Sequence, residues 1–186
     1  MKMFMTDASR YRVTLIAILC LAFGELQASS SNPASTPSSS PAPTPATKKG
    51  STVTNRAAGT FDVKINPLIA HHKDERAPLG RLSIDKQFHG ELDATSKGEM
   101  LAAGTEVKGS AGYVAMERVT GKLHGRSGTF VLQHSGSMNR GSPSLSVTVV
   151  PDSGSGQLLG LAGKMNIKIE AGKHFYDFEY TLPETQ

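Results

Sequence analysis

Three ionisable residues stand in phase with apolar neighbours in runs that alternate with period two. Lys86 lies between Ile84 and Phe88, Glu117 follows Tyr113 and Ala115, and His134 follows Phe130 and Leu132. Such alternation is the signature of a strand with one covered face, so all three side chains are expected on the covered side. A charge there costs several kcal/mol unless it is paired, which makes the placement chemically informative. A desolvated Glu117 with a raised pKa could pass a proton, His134 could serve as its partner, and Lys86 could hold a carboxylate or an enolate. The plainer alternatives are an interior Lys86–Glu117 ion pair, a surface pair of Glu117 with Arg118, and a hydrogen-bonded core role for His134. Tyr113, Phe130, Tyr176, Phe178 and Tyr180 fall on the same faces and would either line a ligand cavity or fill the core. Gln133 would replace His134 inside if a bulge reversed the alternation.

Other chemistries find little support. Cys20 is the one cysteine and lies in an apolar N-terminal run, so disulfides, thiol catalysis and cysteine metal sites are excluded from the chain beyond it. His71-His72 has no third ligand at useful spacing, and adjacent side chains in an extended loop point apart. No metal and no cofactor are expected. His134-Ser135-Gly136 lacks the strand–elbow–helix setting of a hydrolase nucleophile, and Gly154-Ser155-Gly156 lacks the lysine and helix of a phosphate loop. The formal charge of +4 arises before residue 59: six of the 20 basic and two of the 16 acidic residues lie there, leaving 14 of each in 59–186. A neutral domain has no clustered positive face with which to displace counterions, so nucleic acid is not an expected partner.

The elements that must position these residues are strands. No segment of 59–186 sustains a helical period, and its 17 glycines punctuate short alternating runs. Eight strands are expected at 58–66, 79–90, 91–103, 110–124, 126–138, 143–151, 155–169 and 173–183. Turns are signalled at His124-Gly125-Arg126, Asn139-Arg140-Gly141, Asp152-Ser153-Gly154 and Ala171-Gly172-Lys173. Residues 66–78 read as a longer loop. An all-β chain of eight antiparallel strands with short links favours a closed barrel, which abolishes exposed edges. A two-sheet sandwich is the alternative. A barrel of this size is either filled by side chains or holds one small ligand.

Ahead of the barrel, Lys2, Arg10 and Arg12 precede an apolar run of eleven, Val13 to Phe23. That is too short for a transmembrane helix, which needs about 20 residues, and suits a signal peptide with cleavage after Ala28. The expected destination is periplasmic or extracellular, with no transmembrane span after cleavage. Residues 29–58 carry five of the ten prolines, eight serines and almost no large apolar residue. They read as a disordered Ser/Pro/Thr/Ala-rich linker, leaving 59–186 as the single folded domain.

Several segments carry a family resemblance. Tyr113 to Leu123 running into Gly125 to Gly136 is its most specific part. Gly59-Thr60-Phe61-Asp62-Val63, Lys86 to Leu92, Gly154 to Gly163 and Tyr176 to Tyr180 complete it. Across 59–182 the chain resembles the bacterial family called domain of unknown function 3224. That family is similar in fold to the allene oxide cyclase and dirigent barrels of plants, which act on apolar or radical intermediates inside a barrel cavity. The resemblance implies an eight-stranded antiparallel, allene oxide cyclase-like β-barrel; it carries no catalytic residue across and implies no activity.

Three functional readings follow. The first is an exported barrel binding a small apolar or carboxylate-bearing ligand in its interior, with Lys86, Glu117 and His134 as polar contacts. The second is a cyclase- or isomerase-like enzyme with Glu117 as general acid or base. The third is a structural or interaction module that forms homo-oligomers through an outer strand face.

Overall fold

The computed structural model describes residues 53–69 and 79–183. The expected signal peptide, nearly all of the linker and the His71-His72 pair lie outside those residues. Eight antiparallel strands close on themselves in sequence order: β1 Thr54–Leu68, β2 Leu79–Gly90, β3 Leu92–Gly104, β4 Ala111–Leu123, β5 Arg126–Asn139, β6 Ser142–Val149, β7 Ala162–Glu170 and β8 Lys173–Thr181. The barrel is the expected architecture, and closure removes the sandwich.

The period-two reading places most strand ends within two residues, and it fails at two points. Strand β1 begins at Thr54, because its first half pairs with β8 (Thr54 with Thr181, Ala57 with Phe178) while its second half pairs with β2. The last residues of the Ser/Pro-rich segment are therefore part of the barrel wall, and Ala57 is fully buried. Residues 155–161 are not strand. They form a loop with one 3₁₀ turn, Gly156–Leu158, that inserts Leu158 and Leu161 into the barrel end. Glycine permits this insertion: a Cβ on Gly128 would stand 2.1 Å from the Ser155 carbonyl oxygen, and one on Gly154 would stand 2.0 Å from that of Leu158.

The two-residue turns follow the sequence signals. His124-Gly125, Arg140-Gly141 and Ala171-Gly172 all have positive φ at both positions, the backbone that matches the twist of tight hairpins. One seam is weak: across β6 and β7 only Thr148 and Lys164 are paired among the described residues. Towards the end of the barrel that carries the turns 140–141 and 171–172, β6 and β7 part, and the inward Leu145 and Ile167 are only half-buried.

The interior is divided along its axis. The end that carries the turns 90–91 and 124–125 and the 150–161 loop is packed solid with Phe88, Leu92, Leu123, Phe130, Leu158 and Phe178. A smaller group, Leu82, Ile84, Met100 and Ala115, occupies the opposite end, which is open among the described residues. Between the two groups lies a layer of buried polar side chains. Among the described residues no helix is long and apolar enough to cross a membrane.

Candidate functional site

Four neighbouring strands each contribute one residue to the polar layer: Lys86 from β2, Ser96 from β3, Glu117 from β4 and His134 from β5. Register brings them together. Lys86 is directly opposite Ser96, Glu117 is opposite Gly98, and His134 is opposite Ala115, two residues from Glu117. Gly98 allows the approach, since a Cβ there would meet the Met116 carbonyl oxygen at 2.4 Å.

Glu117 is the centre of the group and is fully buried. Its Oε2 accepts a hydrogen bond from Lys86 Nζ at 2.7 Å, and its Oε1 accepts one from the Ser96 hydroxyl. His134 Nε2 lies 3.0 Å from the same Oε2. Its alignment with that oxygen is poor, and no other acceptor or donor meets it in hydrogen-bond geometry. The Lys86 ammonium also sits 4.8 Å from the Phe61 ring centre and 5.6 Å from that of Phe88, a favourable use of the negative ring faces.

These surroundings reverse the expectation for Glu117. Burial alone would raise its pKa, but the Lys86 charge, with His134 assisting, overrides burial and holds the carboxyl at about 2. Glu117 is therefore ionised at neutral pH and has no proton to give. His134 is pushed below the ordinary histidine range, chiefly by burial and further by Lys86, against the opposing pull of Glu117. It is neutral at neutral pH. The interior ion pair, one of the two plain alternatives for Lys86 and Glu117, is the arrangement found.

Above this layer, towards the open end, lies a cavity of about 80 Å³. Its walls include Val63, Ile84, Met100, Leu145 and Ile167, with Tyr113 and His174 also bordering it. Lys86 and His134 reach it; Glu117 and Ser96 do not. Glu117 is thus a residue that positions Lys86 and His134 and does not itself touch the space a ligand would fill.

The remaining sequence candidates divide sharply. Tyr113 borders the cavity, its ring lying over Gly136, where a Cβ would stand 2.2 Å away. Phe130, Tyr176, Phe178 and Tyr180 point inward but belong to the packed end, as core and not as cavity wall. Phe178 stacks on Phe130 and Tyr180 with ring centres 5.8 and 5.3 Å apart. The tyrosine hydroxyls serve the fold: Tyr176 Oη accepts the Leu92 N–H at 2.8 Å, and Tyr180 Oη lies 2.6 Å from His124 Nδ1. Gln133 is on the outer face, paired with Met116 and Thr148, because no bulge interrupts β5 and period two sends it opposite His134. It cannot meet an interior ligand.

Two participants escaped sequence reading. Ser96 continues the inward series Leu92, Ala94 and Ser96, a period-two signal carried by a small hydroxyl residue that points to no chemistry by itself. His174 starts the inward series of β8, and only the barrel's closure shows that its end of the strand faces the cavity. Among the described residues no group of three His, Cys, Asp or Glu is arranged to hold a metal.

The close fit of Tyr113 on Gly136 yields a simple expectation. Gly136→Val should force the ring out of place and cost about 1–3 kcal/mol, measured by chemical denaturation. A variant as stable as the parent would mean that the ring does not rest there.

Residues 57–180 match the family described as "Protein of unknown function (DUF3224)". A solved structure, of a protein with unknown function from the DUF3224 family of Shewanella oneidensis MR-1, is similar at 51% sequence identity and a TM-score of 0.68. The match covers 72% of this chain and all of that one. No curated protein matches the chain. With two thirds of its length matched, and a half-identical relative matched from end to end, the chain belongs to the DUF3224 family.

Proposed function

We propose that the protein is an exported barrel that binds a small, largely apolar molecule at its open end, with the polar part of that molecule resting on Lys86 and His134. The observation that carries this reading is the apolar-walled cavity lying directly above a buried polar floor, which Lys86 and His134 both reach. Pockets for small molecules have this make-up, apolar walls with a few convergent polar groups. The cavity of about 80 Å³ is smaller than the ~150 Å³ engineered cavity that admits benzene. The occupant is therefore a very small molecule, or the end of a longer one that extends through the mouth. The basic and then apolar pattern of residues 1–28 supports export. A proton-transfer role for Glu117 gains nothing from the geometry, since its carboxyl is ionised and away from the cavity.

Native mass spectrometry of the protein isolated from the cells that make it tests the reading, with Ile167→Trp as a cavity-filled control. The expected result is an added small mass on the parent that the filled variant lacks. A parent at its bare mass, whose melting temperature no small molecule raises, would remove the reading.

The outer face of β3 and β4 supports a second reading, self-association. Leu101 and Val114 are paired there, and with Met116 they are each about half exposed. Sedimentation of the purified protein as a monomer at all concentrations would dismiss it.

A further inference from the structure

The floor of the cavity is electrically balanced before any ligand arrives. The Lys86 ammonium is cancelled by Glu117 at 2.7 Å, and His134, 3% exposed and beside that ammonium, is uncharged at neutral pH. The other titratable imidazole on the wall, His174, is also held below its ordinary range by burial and by the Lys86 charge, with Asp62 opposing. A carboxylate entering here would place a second negative charge beside Glu117 in a medium of low dielectric. It could be accommodated only if His134 or His174 took up a proton. A neutral carbonyl group requires no such change. An ammonium has three N–H donors, and Lys86 gives one to Glu117. The neutral His134 ring, its Nε2 3.0 Å from Glu117 Oε2 but poorly aligned with it, borders the same place. Either could donate to a carbonyl oxygen, while the apolar walls take the flanking carbons.

Building on the ligand-binding reading above, we propose that this cavity selects a neutral carbonyl compound, a ketone with a short apolar tail, over a carboxylate of the same shape. Three probes of nearly one shape separate the possibilities: 2-pentanone, butyrate and 2-methyl-1-pentene, titrated into the purified protein at neutral pH by ligand-observed NMR. Calorimetry in two buffers of different ionisation heat reports any proton taken up. The ketone is expected to bind about tenfold more tightly than either analogue, a difference worth one well-placed hydrogen bond to a charged group, with no proton uptake. Butyrate binding equally well or better, with a proton taken up, would overturn the ketone preference and leave the cavity reading intact. The alkene binding as well as the ketone would do the same, by showing that the polar floor is not engaged. If none of the three binds, the cavity reading fails, and the ketone preference falls with it. No variant is needed, so loss of fold cannot imitate any of these results.

Discussion

Glu117→Gln should lower the stability of the barrel by about 3–5 kcal/mol, the usual cost of removing one partner of a buried ion pair. Glu117 is fully buried and accepts hydrogen bonds from Lys86 and Ser96. The amide would leave the Lys86 ammonium uncompensated between the Phe61 and Phe88 rings. For a domain of this size the melting temperature should fall by roughly 15 °C. The double variant Lys86→Met, Glu117→Leu removes both charges together and should lie within about 2 kcal/mol of the parent, because well-packed apolar residues often replace a buried pair without loss. Chemical denaturation of the parent, single and double variants measures the difference. A double variant as unstable as the single one would place the loss in packing and contradict the charge explanation. A folded double variant would also show what the pair is for, since it should lose ligand recognition while keeping the barrel.

Acid should destabilise the protein in two stages. His134 has a folded-state pKa below its ordinary 6.5, as does His174 to the extent that it is buried. A group depressed in this way contributes its full stability above the unfolded value and loses it as pH falls, because the unfolded chain takes up protons that the folded one refuses. The first decline therefore begins near pH 6.5. Glu117 follows the same sign over a lower window, from its unfolded value of 4.5 down to about 2. That interval is worth on the order of 3 kcal/mol. The exposed Glu91 and the half-buried Asp177 are also depressed, but solvent screens their contribution. Urea denaturation as a function of pH should show stability falling below pH 6.5, with His134→Gln reducing the upper stage to the share of His174. Stability that rises between pH 6.5 and 5 would mean that His134 is protonated against Glu117 in the folded protein, and the neutral floor would be wrong.

Much of this site could be read from the sequence because strand periodicity is local. Period two alone puts Lys86, Glu117 and His134 on inward faces, and the same rule sends Gln133 outward once the absence of a bulge in β5 is known. What periodicity does not contain is position along the barrel axis. Tyr176, Phe178 and Tyr180 are inward as expected, yet they fill the packed end, because the 154–161 loop plugs that end and its glycines let it approach. A period-two reading of 155–169 as one strand had no means of showing a plug. The sign of the Glu117 shift was equally inaccessible. It depends on Lys86 lying two strands away across β3, a relation of register and not of spacing. Ser96 was legible in principle, as the polar member of an inward series. His174 required the barrel to close before its position meant anything.

The most direct measurement is a crystal structure of the protein under xenon pressure, since xenon occupies small accessible apolar cavities without polar partners of its own. The expected result is a xenon atom at the open end between Ile84, Leu145 and Ile167, above Lys86 and His134. An interior wholly filled by side chains, with no xenon above the Lys86–Glu117 pair, would contradict the binding cavity and leave the polar layer as a structural device alone.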